Sequence, residues 1–238
     1  MRIALVLKSG GDFTAAHVED LRAQLARFTA REVIVLSDVA EVATHTLDYN
    51  WPGWWSKMEL FRPDLGGDLF YLDLDTVITG PLDWLGGLVR PTMLRDFFHP
   101  ANMASGVMYW PERARERLWN AFVRDAHGVM RLNRRGGDQR FIGSVMRGRV
   151  DYFQDREPGQ VCSYKVDCRF RGVPDGASLV CFHGQPRPWG RAALADHAFQ
   201  VSLKRRLQPP SLSSESAAPQ SPGRAVAPIR PASFSVVD

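Results

Sequence analysis

Two carboxylates one residue apart, Asp73 and Asp75, follow an unbroken apolar run, Leu69-Phe70-Tyr71-Leu72. Such a run, rich in aromatics, reads as a strand buried on both faces. In an extended chain residues i and i+2 point to the same side. The two carboxylates are therefore expected to converge at the C-terminal end of a buried strand, where open α/β sheets bind ligands. Close carboxylates repel each other and are costly to bury unpaired. A divalent cation removes both problems. Hard oxygen ligands suit Mn²⁺ or Mg²⁺, ions that usually partner a substrate's phosphates. The plain alternative is that one Asp caps the next helix or forms an Asx turn.

Other residue types point the same way. Lys8-Ser9-Gly10-Gly11-Asp12 ends the first apolar run. Gly10 and Gly11 beside Lys8 let backbone N–H groups approach an anion closely, with a simple turn as the alternative. Lysine occurs only at Lys8, Lys57, Lys165 and Lys204. Lys57 lies in the tryptophan-dense stretch Trp51–Phe61, which reads as a helix forming core or a wall against a flat ligand. Its ammonium either serves a site or snorkels to water.

The elements that must position these groups alternate. Ile3–Leu7 and Val33–Leu36 read as strands around a helix carrying Val18, Leu21, Leu25 and Phe28 at helical spacing. Residues 39–50 read as irregular. After the carboxylates come an extended piece from Thr76, a Gly80-Pro81 turn and a short helix. Further strands are expected at Pro91–Leu94, Ser105–Trp110, Val161–Val166 and Ser178–Phe182. Pro111 opens one amphipathic helix, and Gly136-Gly137-Asp138-Gln139 opens another. The expectation is an α/β fold with a mixed, mostly parallel sheet flanked by helices.

The chain has 238 residues, 45% hydrophobic and 24% charged, with a net charge of +4. One domain over residues 1–207 is the simplest reading, followed by a disordered Pro/Ser/Ala-rich tail over 208–238. No basic stripe interleaves with stacking aromatics, so no nucleic-acid partner is expected. No segment is apolar enough for a membrane span or signal peptide. Three cysteines, Cys162, Cys168 and Cys181, match no zinc spacing and favour a reducing, cytoplasmic setting.

Taken in order, five motifs resemble bacterial glycosyltransferases with the GT-A nucleotide-sugar fold, similar to the retaining family 8 enzymes. They are Lys57 in its Trp-rich helix, Tyr71-Leu-Asp-Leu-Asp75, Ser105-Gly106-Val-Met108, Asp138-Gln139, and His183-Gly184-Gln-Pro-Arg187-Pro-Trp189. The resemblance spans about residues 1–190. It implies a Mn²⁺ (or Mg²⁺) ion held by Asp73, Asp75 and His183. It also implies a nucleotide-sugar donor, UDP-linked, and retention of anomeric configuration, with the acceptor unspecified. Donor contacts fall to Lys8, Gly10, Gly11, Asp38, Lys57, Asp73, Ser105, Gly106, Gly184 and Arg187. Arg187 stands where the family commonly carries a lysine. Asp138 and Gln139 match a pair placed on the sugar's reacting face, and Lys165 is a candidate cation for the reaction. A satisfied structural histidine remains the alternative for His183, and a helix N-cap for Asp138.

Two other functions compete. A non-catalytic nucleotide-sugar or carbohydrate binder could keep the fold and lose turnover. A haloacid-dehalogenase-like phosphohydrolase is the third reading, because Asp73-Leu-Asp-Thr-Val77 formally fits its nucleophile motif.

Overall fold

A computed structural model describes residues 1–208; the expectation for the tail falls, but for Gln208, outside the described residues. The chain runs β1 (Arg2–Leu7), α1 (Ala15–Ala26), β2 (Val33–Ser37), β3 (His45–Thr46), a 3-10 helix (Gly53–Phe61), β4 (Leu69–Leu72) and β5 (Thr76–Ile78). It continues with β6 (Thr92–Arg95), β7 (Met103–Trp110), α2 (Glu112–Val123), α3 (Ala126–Leu132), α4 (Gly137–Met146), β8 (Asp151–Tyr152) and α5 (Phe153–Arg156). The last elements are β9 (Val161–Ser163), β10 (Leu179–Cys181), α6 (Arg191–Leu194) and α7 (His197–Leu207).

Seven strands form the main sheet in the order β3-β2-β1-β4-β7-β6-β8, and β5-β10-β9 form a smaller one. Within the main sheet only β7 runs antiparallel to its neighbours, β4 and β6. The alternation of side chains along the strands divides the core into two layers. Ile3, Leu5, Phe70 and Leu72 pack with α1 residues Val18, Leu21 and Leu25. Ala4, Val6, Leu69 and Tyr71 pack on the other side with Met58, Phe61, Leu118, Phe122 and Ile142. At about 25 cal/mol per Å² of apolar surface, two such layers supply the dominant stabilisation. Among the described residues no helix is long and apolar enough to cross a membrane.

Several elements depart from the sequence reading. The Trp-rich stretch is a 3-10 helix, entered at Gly53 with φ +54°. The strand expected over Val161–Val166 stops at Ser163, where the chain turns into a short wide helical turn, Tyr164–Cys168, whose start the Ser163 side chain caps. Residues 39–50 contain the two-residue β3. α7 went unread, because only Phe199 along it is buried and its apolar stripe is thin.

Candidate active site

The two carboxylates do not sit in an extended strand. β4 ends at Leu72, and Asp73 N–H donates to the Gly106 carbonyl of β7 at 2.8 Å. Thr76 N–H then donates to the Asp73 carbonyl at 3.0 Å, which closes Asp73-Leu74-Asp75-Thr76 into a tight turn between the two sheets. Leu74 is pulled into the core. The expected same-side convergence is thus replaced by a turn that gives each carboxylate its own set of partners.

Asp73 faces a buried polar hub. Its Oδ1 accepts a hydrogen bond from Tyr71, two residues back on the same strand face, and lies 3.4 Å from Lys57 Nζ. Lys57 also donates to Ser105 Oγ at 3.1 Å and stands 3.1 Å from Asp138 Oδ2. That last contact is an ion pair without hydrogen-bond alignment, so the buried Asp138 Oδ2 has no hydrogen-bond partner. Lys57 is 8% exposed, so the alternative of a snorkelling lysine does not hold, and the N-cap of α4 is Gly136 rather than the buried Asp138. Burial opposes the charge on Lys57, yet Asp138 and Asp73 outweigh it and raise its affinity for the proton. Asp73 moves up to about 6: burial dominates, Lys57 opposes it, and the Asp75 charge adds to the rise. Gly106 opens room here, since a Cβ there would stand 3.2 Å from Asp73 Oδ2. Gln139 follows Asp138 in the first turn of α4 and is half-buried.

Asp75 has different partners, although its charge still reaches Asp73. The Asp75 Oδ2 accepts from Arg187 and, at 3.4 Å, from the Gly184 N–H. Arg187 also reaches Asp12 at 3.2 Å and lies over the Phe13 ring at 4.7 Å. Trp189 stacks on His17 with centroids 3.8 Å apart. The loop after β10 is thereby clasped to the loop after β1. His183 begins it with φ +38°, a left-handed conformation that a non-glycine residue adopts only at a cost of roughly 1–3 kcal/mol. Its ring stacks on Phe97 at 5.3 Å and its Nε2 pairs with Ser163 Oγ at 2.6 Å. Burial lowers its pKa, and nearby Lys165 adds to the effect. Lys165 donates to the His183 carbonyl at 2.9 Å.

The remaining donor candidates lie at the ends of β1 and β2. Lys8 donates to Asp38, as do Ser9 N–H at 2.8 Å and Ser9 Oγ at 2.6 Å. Burial pushes the Asp38 carboxyl up, but those bonds win and hold it at about 2. Gly10 and Gly11 are exposed, and Gly10 has φ +82°.

The structure therefore assembles Lys57, Asp73, Ser105, Gly106 and Asp138 into one hub. It gathers Asp75, Gly184 and Arg187 into a second group, with Lys165 bound to the His183 carbonyl, and ties Lys8 to Asp38 in a third. Among the described residues no three His, Cys, Asp or Glu side chains form a ready ligand cluster. Sequence reasoning missed Ser163 and Asp12 as partners. The register Cys181↔Ser163 in β9–β10 brings Ser163 beside the strand end that carries His183, a pairing invisible in one dimension.

Comparison with solved structures decides the fold. The glycosyltransferase GlyE of Streptococcus pneumoniae TIGR4 superposes with a TM-score of 0.60 at 13% identity, covering 87% of this chain and 61% of that one. The chain has a glycosyltransferase fold of the GT-A type. Galactosyltransferase LgtC, solved with donor and acceptor sugar analogues, gives 0.55 at 13% identity over 89% of this chain and 98% of that one. A glycosyltransferase involved in glycosylation of the major capsid of PBCV-1 gives 0.51 at 10% identity, covering 77% and 95%. This GT-A chain thus spans under two thirds of GlyE and nearly all of LgtC. No protein-family model matches it, and no curated protein does.

Proposed function

We propose that the chain transfers a sugar from a nucleotide donor, UDP-linked, to an acceptor with retention, using Mn²⁺ or Mg²⁺ at the Asp73–Asp75 turn. The observation that carries this reading is the charge arrangement at that turn. Asp73 and Asp138 share one ammonium, and Asp75 and Asp12 share one guanidinium. The Asp73 half is short of one positive charge, while Lys165 stands near the Asp75 half. Asp73 Oδ2 and Asp75 Oδ1 accept no hydrogen bond from the described residues. Two such hard carboxylate oxygens fit a divalent cation. His183 would serve as a third ligand by its chemistry, which would require its Nε2 to leave the Ser163 hydroxyl.

When bound, the cation supplies Lewis-acid stabilisation of charge on the leaving diphosphate. The protein's own groups do the rest. Arg187 exchanges Asp75 for a phosphate oxygen, and Lys165 adds positive charge from the same side. Lys57 holds Asp73 and Asp138 in place. Asp138, ion-paired to Lys57, and the half-buried Gln139 stand at the sugar's reacting face. Lys8, Gly10, Gly11 and Asp38 hold the nucleotide. Three free, buried thiols agree with a reducing, cytoplasmic location.

The test is release of nucleoside diphosphate from a panel of nucleotide sugars, with Mn²⁺ and with chelator. Metal-dependent release from one donor supports the reading and names the donor. A binding module without turnover is the second reading, favoured by the engagement of Asp75 by Arg187 and of His183 by Ser163. It predicts that Mn²⁺ with a nucleoside diphosphate raises the melting temperature while no sugar is released. The phosphohydrolase reading loses ground, because the solved neighbours of this fold are glycosyltransferases.

A further inference from the structure

Positive charge is concentrated in one stretch of the chain. Residues 164–207 hold eight Lys and Arg against three Asp and no Glu, while the whole chain has a net charge of only +4. Arg187 belongs to the site described above. Of the others, Arg169, Arg171, Arg191, Lys204 and Arg205 are exposed. Large apolar side chains stand among them: Phe170 is 71% exposed, Leu194 58% and Val201 51%. Scattered singly, such residues need no explanation, but these are gathered. Phe170 N–H donates to Asp196 Oδ2 at 3.0 Å and Val173 N–H to Ser202 Oγ at 2.8 Å, so residues 170–173 run along α7. Gly172 packs there so closely that a Cβ would stand 3.1 Å from the Ser202 side chain and 3.2 Å from the Ala198 carbonyl. On the helix surface Val201 and Arg205 neighbour Ala198 and Ser202 at three- and four-residue spacing. Phe170, Arg171, Val201 and Arg205 therefore share one surface, and Leu194 closes α6 just ahead of it.

Phe170 is the least expected of these residues. Its φ is +61°, a left-handed conformation that Asn or Gly adopts with less strain. Backbone bonds on both sides lock it: Arg169 N–H donates to the Tyr164 carbonyl at 2.7 Å and Gly172 N–H to the Cys168 carbonyl at 2.8 Å. The ring lies outside the core cluster of Tyr164, Cys168 and Phe199, with the Arg169 guanidinium 4.8 Å from its centre. The turn thus holds a phenyl ring out to water between two arginines.

We propose that this surface docks on a bilayer rich in anionic phospholipid. Phe170 enters the boundary between headgroups and acyl chains, and Arg169, Arg171, Lys204 and Arg205 meet the anionic headgroups. The inference is independent of the glycosyl-transfer reading. A bilayer offers negative charge at its surface and apolar depth beneath, which matches both components. A soluble polyanion would satisfy the cations and leave Phe170, Leu194 and Val201 in water. The one exposed carboxylate in residues 164–207 is Asp175, 3.8 Å from Arg205 and 3.7 Å from Arg206, so the surface stays cationic.

The test is co-sedimentation of the full chain with vesicles of phosphatidylcholine alone and of phosphatidylcholine with about 30% phosphatidylserine. The chain should partition onto the anionic vesicles only, less so as salt is raised. Phe170→Asn should lower that partition about tenfold while the melting temperature holds or rises, because Asn suits the left-handed turn. Arg171→Gln combined with Arg205→Gln should lower it at least about tenfold. Absence of wild-type binding to anionic vesicles, or equal binding to neutral ones, overturns the proposal. Undiminished binding by Phe170→Asn overturns insertion of the ring. Binding to soluble inorganic polyphosphate as tight as to vesicles, and insensitive to Phe170→Asn, assigns the surface to a polyanion and overturns the lipid.

Discussion

The two carboxylates of one turn live in unlike surroundings. Asp73 belongs to a hub of buried groups, Lys57, Tyr71, Ser105 and Asp138, mounted on β4, β7, α4 and the 3-10 helix. Asp75 is held by the loop after β10, and its main partner there, Arg187, also contacts the 65%-exposed side chain of Asp12. The hub is framework: Lys57 and Asp138 are buried, Asp73 is partly so, and removing the shared cation strands both carboxylates. The clasp is made of chain that can part and re-form, with partners that water can replace. In the reading proposed above, such a site would keep its sugar-side groups fixed while its phosphate side opens for the nucleotide.

Replacing Lys57 should show the largest effect. Lys57→Met leaves Asp73 and Asp138 without their shared cation, and we expect a loss of about 3–5 kcal/mol in chemical denaturation. Arg187→Ala should cost about 1.5–3 kcal/mol, since Asp75 keeps the Gly184 N–H and gains water. Equal losses in the two variants would break the distinction between framework and clasp. In diphosphate release the order should close up, with Arg187→Ala also losing on the order of a hundredfold.

Glycine 106 offers a way to disturb one carboxylate alone. Gly106→Ala places a methyl group 3.2 Å from Asp73 Oδ2, where the rigid hub leaves that oxygen little room. We expect roughly tenfold slower turnover, with Arg187 and the loop after β10 unaffected in hydrogen exchange. Exchange changes confined to that loop would put Asp73 on the mobile side instead.

Smaller effects probe the clasp. Trp189→Ala removes the stack on His17 and the edge contact with Phe13. It should cost about 0.5–1.5 kcal/mol and speed amide exchange in residues 8–14 and 184–190, leaving 53–61 protected. Acid should loosen the same side. Asp38 titrates at about 2 when folded, below its ordinary 3.8. A depressed folded pKa means that its contribution is complete above about pH 4 and fades as the pH falls towards 2. The protection factor of the Ser9 amide should therefore fall over that interval in wild type and be already low in Asp38→Asn.

The sequence displayed the framework far better than the clasp. The strands Ile3–Leu7, Val33–Leu36 and Leu69–Leu72 are runs of apolar residues whose burial needs no long-range knowledge, and β1, β2 and β4 fall within a residue of them. Lys57 stood out because lysine is scarce and rarely found among tryptophans. What stayed hidden depends on tertiary pairing. The Asp73-Leu74-Asp75 stretch keeps an extended-looking alternation, and only the Gly106 carbonyl and the Thr76 N–H reveal that the chain turns there. Ser163 and Asp12 are ordinary polar residues whose partners lie 20 and 175 positions away.

The central claim is that both halves of the turn are completed by one divalent cation. Its most direct test is Mn²⁺ binding, followed by electron paramagnetic resonance with UDP present, in wild type, Asp73→Asn and Asp75→Asn. Both variants should lose the bound-metal signal while keeping the wild-type circular dichroism spectrum. Retention of the signal in either variant would contradict a shared ion and leave the positive charge of the site to Lys57, Lys165 and Arg187.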